Sequence, residues 1–548
     1  MATSWKLLRL IGCFSILLSF SKIYAQSTVG VLAQAEDATD GYKLIFPHNQ
    51  EKVFLLDKNG KLVHYWDDEE GFVPGNSVYI LPNGNLIKCK RLNKKDDPIF
   101  AGGAGATVEI RSWENDLLHS FTLNNDTARL HHDVAPLPNG NILMIAWENF
   151  TGEQALKAGR KPEALSRDEL WSEMVIEWNP VKDSIVWSWH VWDHLIQDEF
   201  PDKDNYGNVE EYPGKIDINY DEHDGHPDWL HINSIAYNPV LDQIALSVPY
   251  FNELWVIDHS TTPEESRSDE GGRAGKGGQL LFRYGNDKTY LEQANEQILF
   301  FQHDVEWVKP EANIGDDDFG KMALFNNRLP DTTSIGMVIN TLEANSNDYI
   351  NPANEPQSLI EKKIVHPTNS ALSYSTGLSS IQVLENGHVL LLAGRTGYAY
   401  ELDAEGNIVW EYRIPIKAGK PVPQGTNLEI NNNITFRMDK YPLDYQGFVG
   451  RELSPMGLLE EMEFDEVITD LPEPAISTNI EIYPNPTTEK LQIESNDRIG
   501  QINIFNAGGQ LLRNLSFDEN TAEISLKLFK PGLYFLTLKN GRFKVIKQ

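Results

Sequence analysis

The sequence predicts an all-β protein, with a six-bladed β-propeller followed by a small antiparallel β-sandwich. Two kinds of β-hairpin alternate along most of the chain, as expected for four-stranded blades repeated around an axis. The composition agrees, because 40 Gly and 29 Pro suit many short strands and turns rather than long helices. With 548 residues, of which 41% are hydrophobic, the chain can build one large repeat domain and one smaller module.

The first hairpin motif is an alternating strand, a turn containing Asp, Asn or Gly, and a second strand that ends near an aromatic residue. We interpret each copy as the outer strand pair of a blade. Copies occur at residues 53–66, 108–121, 175–189, 254–285 and 400–414, with a weaker candidate at 358–365.

The second motif is a strand, a turn of the LPNGN type and another strand, which we interpret as the inner strand pair. Copies occur at residues 78–90, 134–147, 235–248 and 381–394, with a degraded copy at 305–316. Pairing each inner hairpin with the next outer hairpin predicts sheets at about 77–121, 131–190, 231–285, 303–365 and 378–414.

The outer hairpin at 53–66 has no inner partner before it in the chain. We expect the later segment 433–441 to supply strands there, which would close the ring with a sixth blade and leave only short exposed edges. An array of β-sandwiches is the alternative architecture.

The two ends of the chain have compositions of their own. Lys6 and Arg9 precede the apolar run IGCFSILLSF, which is typical of a secretory signal and too short for a membrane span. Pro472 and Pro474 stiffen a linker, and short alternating strands follow it. No segment of the mature sequence is suited to cross a membrane. We therefore predict a signal peptide (1–25), a propeller (26–465), a linker (466–475) and a C-terminal domain (476–548).

The net charge argues against a nucleic acid partner, and the cysteine count excludes an intrachain disulfide. The formal net charge is −33, and loss of the signal peptide would remove three further cations. Such an acidic surface repels phosphates, so we expect no nucleic acid partner. Loss of the signal peptide also removes Cys13 and leaves Cys89 alone, which excludes an intrachain disulfide.

Histidines lie at the start of three predicted inner strands, in LHHDV, DWLHINS and QHDVEW. Residues at the same position of different blades converge, and an imidazole can act as general base, nucleophile or metal ligand. Arginines follow inner strands in the same way, and a fixed guanidinium suits a sulfate, phosphate or carboxylate. We predict His132, His231, His303 and Arg328 as catalytic residues, and Arg395, Asn233 and Asp304 as substrate-binding residues.

Two other motifs are weaker candidates for a functional site. The Asp- and His-rich stretch 221–231 offers ligands for zinc, calcium or manganese, but its spacing matches no defined site. We therefore predict no metal and no cofactor, and keep a metal-dependent hydrolase as a weaker alternative. The stretch GGRAGKGG (271–278) lacks the Ser or Thr and the helix that follow a phosphate-binding loop, so we interpret it as a hairpin tip.

Together these segments resemble the arylsulfate sulfotransferase family over about residues 42–450. The resemblance is carried by LHHDVAPLPNGNIL, DWLHINSIAYNP, FFQHDVEW, LFNNR, GRTGYAYELDAEGNIVWEY and FRMDKYPLDYQGF. It implies a six-bladed propeller that moves a sulfuryl group from a phenolic sulfate ester to a phenol acceptor, through a sulfated histidine and without an adenylated donor. It also implies that His231, His303 and Arg328 hold and polarise the sulfuryl group.

One segment departs from the family pattern. The nucleophilic histidine of the family should come from the blade before GRTG, where this chain reads SALSYSTGLSSIQVL (370–384). His366 lies nearby but outside the strand pattern, and Ser375 and Thr376 have no obvious base beside them. The alternative function is therefore a non-catalytic surface propeller that binds a glycan, a phenolic compound or a protein.

The C-terminal residues 475–548 resemble the sorting domain of the type IX secretion pathway. The resemblance is carried by IYPNPTTEKLQI, NIFNAGGQLL, KPGLYFLTL and the basic end FKVIKQ. It implies a Bacteroidota-type cell, interaction with the type IX secretion machinery, and a protein that is secreted or attached to the cell surface after crossing the outer membrane.

Overall fold

The computed structural model divides the chain into two compact units, Met1–Phe464 and Asp465–Gln548. The predicted signal peptide (1–25) and linker (466–475) lie outside the described residues. None of the helices in the described part is long and apolar enough to cross a membrane. The structure describes residues 27–68, 73–91, 97–291, 293–294, 297–341, 356–464, 480–495, 498–506, 511–527, 529–538 and 541–548.

Most of the described strands of the first unit form six antiparallel sheets of four or five strands. From the inner strand outward, sheet 1 contains Thr435–Tyr441, Tyr42–Pro47, Val53–Leu56, Lys61–Trp66 and Gly457–Leu458. In the same direction, sheet 2 contains Val73–Ile80, Leu86–Arg91, Ala106–Arg111 and Leu117–Thr122. Sheet 3 contains Ala128–Pro136, Ile142–Thr151, Glu169–Asn179 and Ser184–His190.

The other three sheets have the same antiparallel order. Sheet 4 contains Ser234–Asn238, Gln243–Val248, Glu253–Asp258 and Phe282–Tyr284. Sheet 5 contains His303–Trp307, Lys321–Asn326, Ile335–Asn340 and Ile360–Ile364. Sheet 6 contains Ser380–Val383, Val389–Ala393, Tyr398–Leu402, Ile408–Arg413 and Gly30–Gln34.

The six sheets form a closed ring. Each inner strand contacts the inner strand of the next sheet, and that of sheet 6 contacts that of sheet 1. Sheet 1 joins the two ends of the unit, because Tyr42–Pro47 pairs with Thr435–Tyr441 from Tyr42 opposite Tyr441 to Pro47 opposite Thr435. The all-β prediction is confirmed, and this ring is the arrangement that a six-bladed propeller requires.

Alternation along the strands explains why neighbouring sheets stack. In Gln243–Val248, Ile244 and Leu246 pack in the core shared with sheet 3, whereas Ala245 packs in the core shared with sheet 5. Successive side chains of a strand point to opposite faces, so one strand can serve two cores. Burial on both faces makes these strands almost continuously apolar.

The sheets lie within a few residues of the predicted spans, but sheets 1 and 6 have unpredicted members. Gly30–Gln34 adds a fifth strand to sheet 6, and Gly457–Leu458 adds one to sheet 1. Both are short and lack the hairpin turn that marks the other strands, because their partners are distant in the sequence.

Several short strands, helices and 3₁₀ turns lie outside the six sheets. Leu195–Ile196 pairs in parallel with Ile216–Asp217, and Ile416–Lys417 pairs with Lys420–Pro421. The helices of the described part are Gly152–Ala158 and Ser370–Ser373, with 3₁₀ turns at Pro162–Ala164, Val191–His194, Glu265–Arg267, Asp287–Thr289, Pro356–Leu359, Gln446–Phe448 and Leu459–Glu461.

The second unit consists of two antiparallel sheets around one apolar core, which fits the predicted sandwich. Leu491, Ile504 and Leu536 are among its fully buried residues. One sheet contains Ile480–Tyr483, Lys490–Ser495 and Thr521–Ser525. The other contains Leu511–Phe517, Gly500–Asn506, Gly532–Leu538 and Gly541–Lys547.

A half-buried histidine between sheets 3 and 4 predicts a pH dependence of stability. The ring of His259 lies 2.8 Å from Asp242 and 3.1 Å from Glu177. Burial by itself lowers the pKa of His259, but hydrogen bonds to Asp242 and Glu177 outweigh it and raise the pKa to about 9. Protonated His259 therefore stabilises the fold fully below pH ~6.5, and this contribution is lost as the pH rises towards 9.

We expect His259→Gln to lower the free energy of unfolding by up to about 3 kcal/mol at pH 6 and by less at pH 9. Denaturant unfolding at the two pH values measures the difference. His119→Gln, on the outer strand of sheet 2, is the matched control and should show no such pH-dependent loss. An equal loss at both pH values for His259→Gln would contradict the assignment.

Candidate functional site

The predicted site residues come from four different sheets but lie at one end of the ring. His303 opens the inner strand of sheet 5, where it pairs with Phe325 at the end of the second strand. Antiparallel pairing places the start of an inner strand beside the end of its neighbour, so Arg328 emerges close to His303. His231 precedes the inner strand of sheet 4, and His132 lies within that of sheet 3 at a register shift.

His231 is held by a buried carboxylate. Its Nδ1 lies 2.5 Å from Oδ2 of Asp228, whose Oδ1 accepts a hydrogen bond from the indole of Trp147 at 3.0 Å. The ring centre of His231 is 4.6 Å from that of His132 and 4.8 Å from that of Tyr250. The carboxylate at Nδ1 orients the imidazole and leaves Nε2 on the side of the ring away from Asp228.

His303 uses both ring nitrogens within the protein. Its Nδ1 lies 2.8 Å from Oδ1 of Asn327, and the backbone N–H of Leu378 donates to Nε2 at 3.0 Å. The amide nitrogen of Asn327 donates to the carbonyls of Ser375 and Leu378, which fixes Oδ1 as the acceptor. Burial lowers the pKa of His303 to about 3. His303 is therefore neutral, and its predicted contact with a sulfuryl group would require Leu378 to be displaced.

Two guanidinium groups approach the segment before Leu378. The Cζ of Arg328 lies 3.5 Å from the ring centre of Phe301, and its Nε donates to the carbonyl of Thr376 at 2.6 Å. The Nη2 of Arg395 would lie 3.7 Å from a Cβ placed on Gly377. Burial lowers the pKa of both guanidinium groups, which stay charged at neutral pH because arginine titrates far above it.

A cavity of about 550 Å³ opens beside Arg328. Its lining includes Tyr250, Phe301, Arg328, His223 and Glu222. Aromatic faces beside a fixed guanidinium suit a flat ring that carries an anionic group.

His132 is backed by a second buried carboxylate. Its Nδ1 lies 2.9 Å from Nδ1 of His131, whose Nε2 lies 2.6 Å from Oε2 of Glu173. Gly103 packs against the other side of the ring, at a φ of 77°, and a Cβ on it would lie 1.9 Å from Nε2 of His132. Only glycine therefore fits beside this imidazole.

Residues 28–408 match the model of the arylsulfotransferase (ASST) family. The chain belongs to the arylsulfotransferase family. Residues 481–548 match the secretion system C-terminal sorting domain, which implies secretion across the outer membrane to the cell surface or beyond. No curated protein matches the chain.

Several solved structures have low similarity to this arylsulfotransferase-family chain. One is a protein of unknown function from Bacteroides caccae, with 11% identity and a TM-score of 0.38; the match covers 73% of this chain and 99% of that one. They also include the inactive virginiamycin B lyase of Staphylococcus aureus with quinupristin, at 10% identity and a TM-score of 0.31 over 70% and 88%. Apo AztD of Citrobacter koseri has 12% identity and a TM-score of 0.30 over 74% and 99%.

The predicted substrate-binding residues Asn233 and Asp304 make buried contacts within the protein. Asn233 donates from Nδ2 to the carbonyl of Gln302 at 2.8 Å. Asp304 lies 2.6 Å from the guanidinium of Arg437 and accepts the backbone N–H of Ile381 at 2.8 Å. Their predicted role in substrate binding stays a prediction, and the contacts observed stabilise the ring.

Asp221, in the acidic stretch 221–231, makes its contacts within the protein. Asp221 lies 3.1 Å from Arg160 and accepts the backbone N–H groups of His223 and Gly225 at 2.8 and 2.7 Å. Within the described ranges, no three His, Cys, Asp or Glu side chains are grouped to hold a metal ion. The metal-dependent alternative thus has no set of ligands among those residues.

The sequence reasoning missed three groups that support the predicted histidines. His131 was adjacent to His132 in LHHDV, but Glu173 lies 42 residues from His131 and only the fold pairs them. The third group is the GGAG turn at 102–105. Its glycines indicated that the backbone approaches a side chain closely there, because a Cβ atom would clash.

Proposed function

We propose that this chain is an exported enzyme that transfers a sulfuryl group from a phenolic sulfate ester to a phenol acceptor without an adenylated donor. The observation that carries the proposal is the His231–Asp228 pair, which lies beside the cavity lined by Tyr250, Phe301 and Arg328. Membership of the arylsulfotransferase family supports the same reaction class.

Each group has a role that follows from its contacts. The aryl ring of the donor packs against Tyr250 and Phe301, and its sulfate faces the guanidinium of Arg328. His231, oriented at Nδ1 by Asp228, binds a sulfuryl oxygen through Nε2, where charge develops as the sulfur–oxygen bond to the donor breaks. His303 positions the 375–378 segment through Leu378, and Arg395 adds positive charge beside that segment.

One observation favours the non-catalytic alternative. In the segment 370–384, where the family nucleophile is expected, the chain has no histidine, and the backbone N–H of Leu378 occupies Nε2 of His303. A propeller that binds a phenolic anion without transferring its sulfate would use the same cavity.

Incubation with 4-nitrophenyl sulfate and phenol separates the two functions. Transfer predicts release of 4-nitrophenol and formation of phenyl sulfate, measured by absorbance and mass spectrometry. Absence of both products with the purified wild-type protein would reject the enzyme. Calorimetric binding of 4-nitrophenyl sulfate without turnover would instead support the non-catalytic alternative.

Arg328→Lys tests the sulfate contact. Lysine loses both the planar fork that binds a sulfate through two donors and the stacking on Phe301, so we expect kcat/KM for the donor to fall about 10- to 100-fold. Arg273→Lys, in the exposed loop between two strands of sheet 4, is the matched control. A kcat/KM within twofold of wild type for Arg328→Lys would remove Arg328 from the site.

A further inference from the structure

Four neighbouring sheets carry an arginine or a histidine within two residues of the end of their second strand. Arg328 has this position in sheet 5, Arg395 in sheet 6, His48 in sheet 1 and Arg91 in sheet 2. Because the second strand ends beside the start of the inner strand, all four lie at the end of the ring that carries the candidate site. His48, Arg91 and Arg395, hereafter the basic arc, lie outside the lining of the cavity at Arg328.

Backbone hydrogen bonds place His48 and Arg395 next to each other across two sheets. The N–H of His48 donates to the carbonyl of Ile434 at 2.8 Å. The N–H of the next residue, Thr435, donates to the carbonyl of Gly394, which directly precedes Arg395, at 3.0 Å. The two side chains therefore leave the ring from adjoining backbone segments.

The charges of the basic arc act on one another and on Arg328. Burial and the nearby guanidinium groups of Arg91 and Arg395 lower the pKa of His48 to about 4, so His48 is neutral. Burial and the charge of Arg395 also lower the pKa of Arg328. A positive field therefore extends from the cavity at Arg328 to Arg91, two sheets beyond Arg395.

Three buried nitrogens of the basic arc have no partner in the described part of the chain. They are Nε of Arg91, Nε of Arg395 and Nε2 of His48. The remaining contact of the Arg395 guanidinium is long, 3.4 Å from Nη1 to Oδ1 of Asn431. Burial lowers the pKa of both arginines, with no carboxylate among the described residues to oppose it.

The absence of a carboxylate beside these two arginines is unexpected from the composition. The chain has 80 Asp and Glu residues against 47 Lys and Arg residues. A buried donor without an acceptor costs stability, and a guanidinium costs more than a neutral group. Two guanidinium groups kept apart from so many carboxylates indicate a site for an anion that comes from outside the protein.

We propose that the basic arc is a second anion site, and that the preferred substrate is an aryl sulfate that carries a further anionic group such as a carboxylate. The inference rests on the proposed function and names its class of substrate. The sulfate faces Arg328, and the second anion of the same molecule binds Arg395 and Arg91 through charge-assisted hydrogen bonds. Neutral His48 adds one N–H donor between them without adding repulsion between the two guanidinium groups.

The net charge of the chain makes a preference for dianions diagnostic. At a formal charge of −33, the protein repels a dianion more strongly than a monoanion unless a local cationic site reverses the balance. Added salt screens that general repulsion and would strengthen binding of the dianion. Salt weakens binding of the dianion only if the basic arc holds it.

Arg91→Gln is the test, with 4-carboxyphenyl sulfate as the dianion and 4-acetylphenyl sulfate, which is similar in shape, as the monoanion. For the wild-type protein without acceptor, we expect calorimetry to give a Kd for the dianion about 10- to 100-fold below that for the monoanion. In Arg91→Gln this ratio should fall by about fivefold or more. Arg451→Gln, beside Asn83 in the turn at the opposite end of sheet 2, is the matched control and should keep the wild-type ratio.

The wild-type protein gives a second measurement if Arg91→Gln does not fold. Raising NaCl from about 50 to about 500 mM should weaken binding of the dianion more than that of the monoanion. Equal wild-type affinities, equal losses of both ligands in Arg91→Gln, or dianion binding that strengthens with salt would each overturn the second anion site and leave the proposed function in place. If neither ligand binds or passes its sulfuryl group to phenol, the proposed function is rejected and the inference falls with it.

Discussion

His231→Ala is expected to lower kcat/KM for an aryl sulfate donor by about 10²- to 10³-fold, the usual cost of losing one charge-stabilising donor from an enzyme site. The imidazole lies 4.6 Å from His132 and 4.8 Å from Tyr250, which lines the cavity. Asp228 keeps its hydrogen bond from Trp147 in the variant, so the fold should persist.

Two further variants separate charge from packing at His231. Asp228→Asn retains the size of the side chain but removes the carboxylate that orients the imidazole at Nδ1, so it should lose most of the same activity. His119→Ala, on the outer strand of sheet 2, should retain wild-type kcat/KM. Circular dichroism confirms the fold of each variant. Wild-type activity in His231→Ala would exclude His231 from catalysis.

Arg437→Met is expected to lower the free energy of unfolding by about 3–5 kcal/mol, because it leaves two buried carboxylates without their cation. The guanidinium of Arg437, on sheet 1, lies 2.8 Å from Asp133 and 2.6 Å from Asp304, on sheets 3 and 5. Asp133 also accepts the backbone N–H of Ile235, on sheet 4. One ion-pair cluster therefore ties together strands from several sheets at the centre of the ring.

The destabilisation should depend on pH in a defined direction. Burial already raises the pKa of Asp133 to about 7 and that of Asp304 well above its usual value in the presence of Arg437, and loss of the guanidinium raises both pKa values further. The penalty is then largest above pH 7, where the carboxylates of the wild-type protein are ionised, and shrinks as the pH falls and they become protonated. Denaturant unfolding at pH 9 and pH 6 measures this change.

A compensated variant tests the cause. Asp133→Asn and Asp304→Asn combined with Arg437→Met should recover most of the loss, because no unpaired charge stays buried. Arg451→Met, which removes an exposed ion pair to Glu114, should cost less than about 1 kcal/mol. If Arg437→Met proves as mild as Arg451→Met, the cluster does not stabilise the ring.

Much of the fold was predictable because its signals are local. Alternation such as VYILPNGNLIKCK specifies two strands and the turn between them within 13 residues. The strand Gly30–Gln34 was missed because its partner, Ile408–Arg413, lies almost 400 residues away. Tyr42–Pro47 pairs with the nearby Val53–Leu56 on one side, but its pairing with the distant Thr435–Tyr441 on the other side is not indicated by any local pattern.

The candidate site, like the fold, was predictable only in part. The histidines and arginines could be named because they recur at one position of a repeated hairpin. The engagement of His303 by Leu378 and the use of Asp304 as a partner of Arg437 could not, since each contact joins different sheets. Such contacts depend on how the ring closes, which sequence spacing does not report.

The sequence by itself determined the strand order, the imidazoles at the inner strands, the acidic charge and the sorting domain, because each depends on residues close together in the chain. Tertiary structure alone decided which partners each imidazole contacts. His132 and His303 occupy similar HDV motifs, yet Nε2 of His303 accepts Leu378 N–H while Nδ1 of His132 faces His131 and, through it, Glu173. Leu378 and Glu173 come from distant parts of the chain, and only the closed ring brings them to these imidazoles.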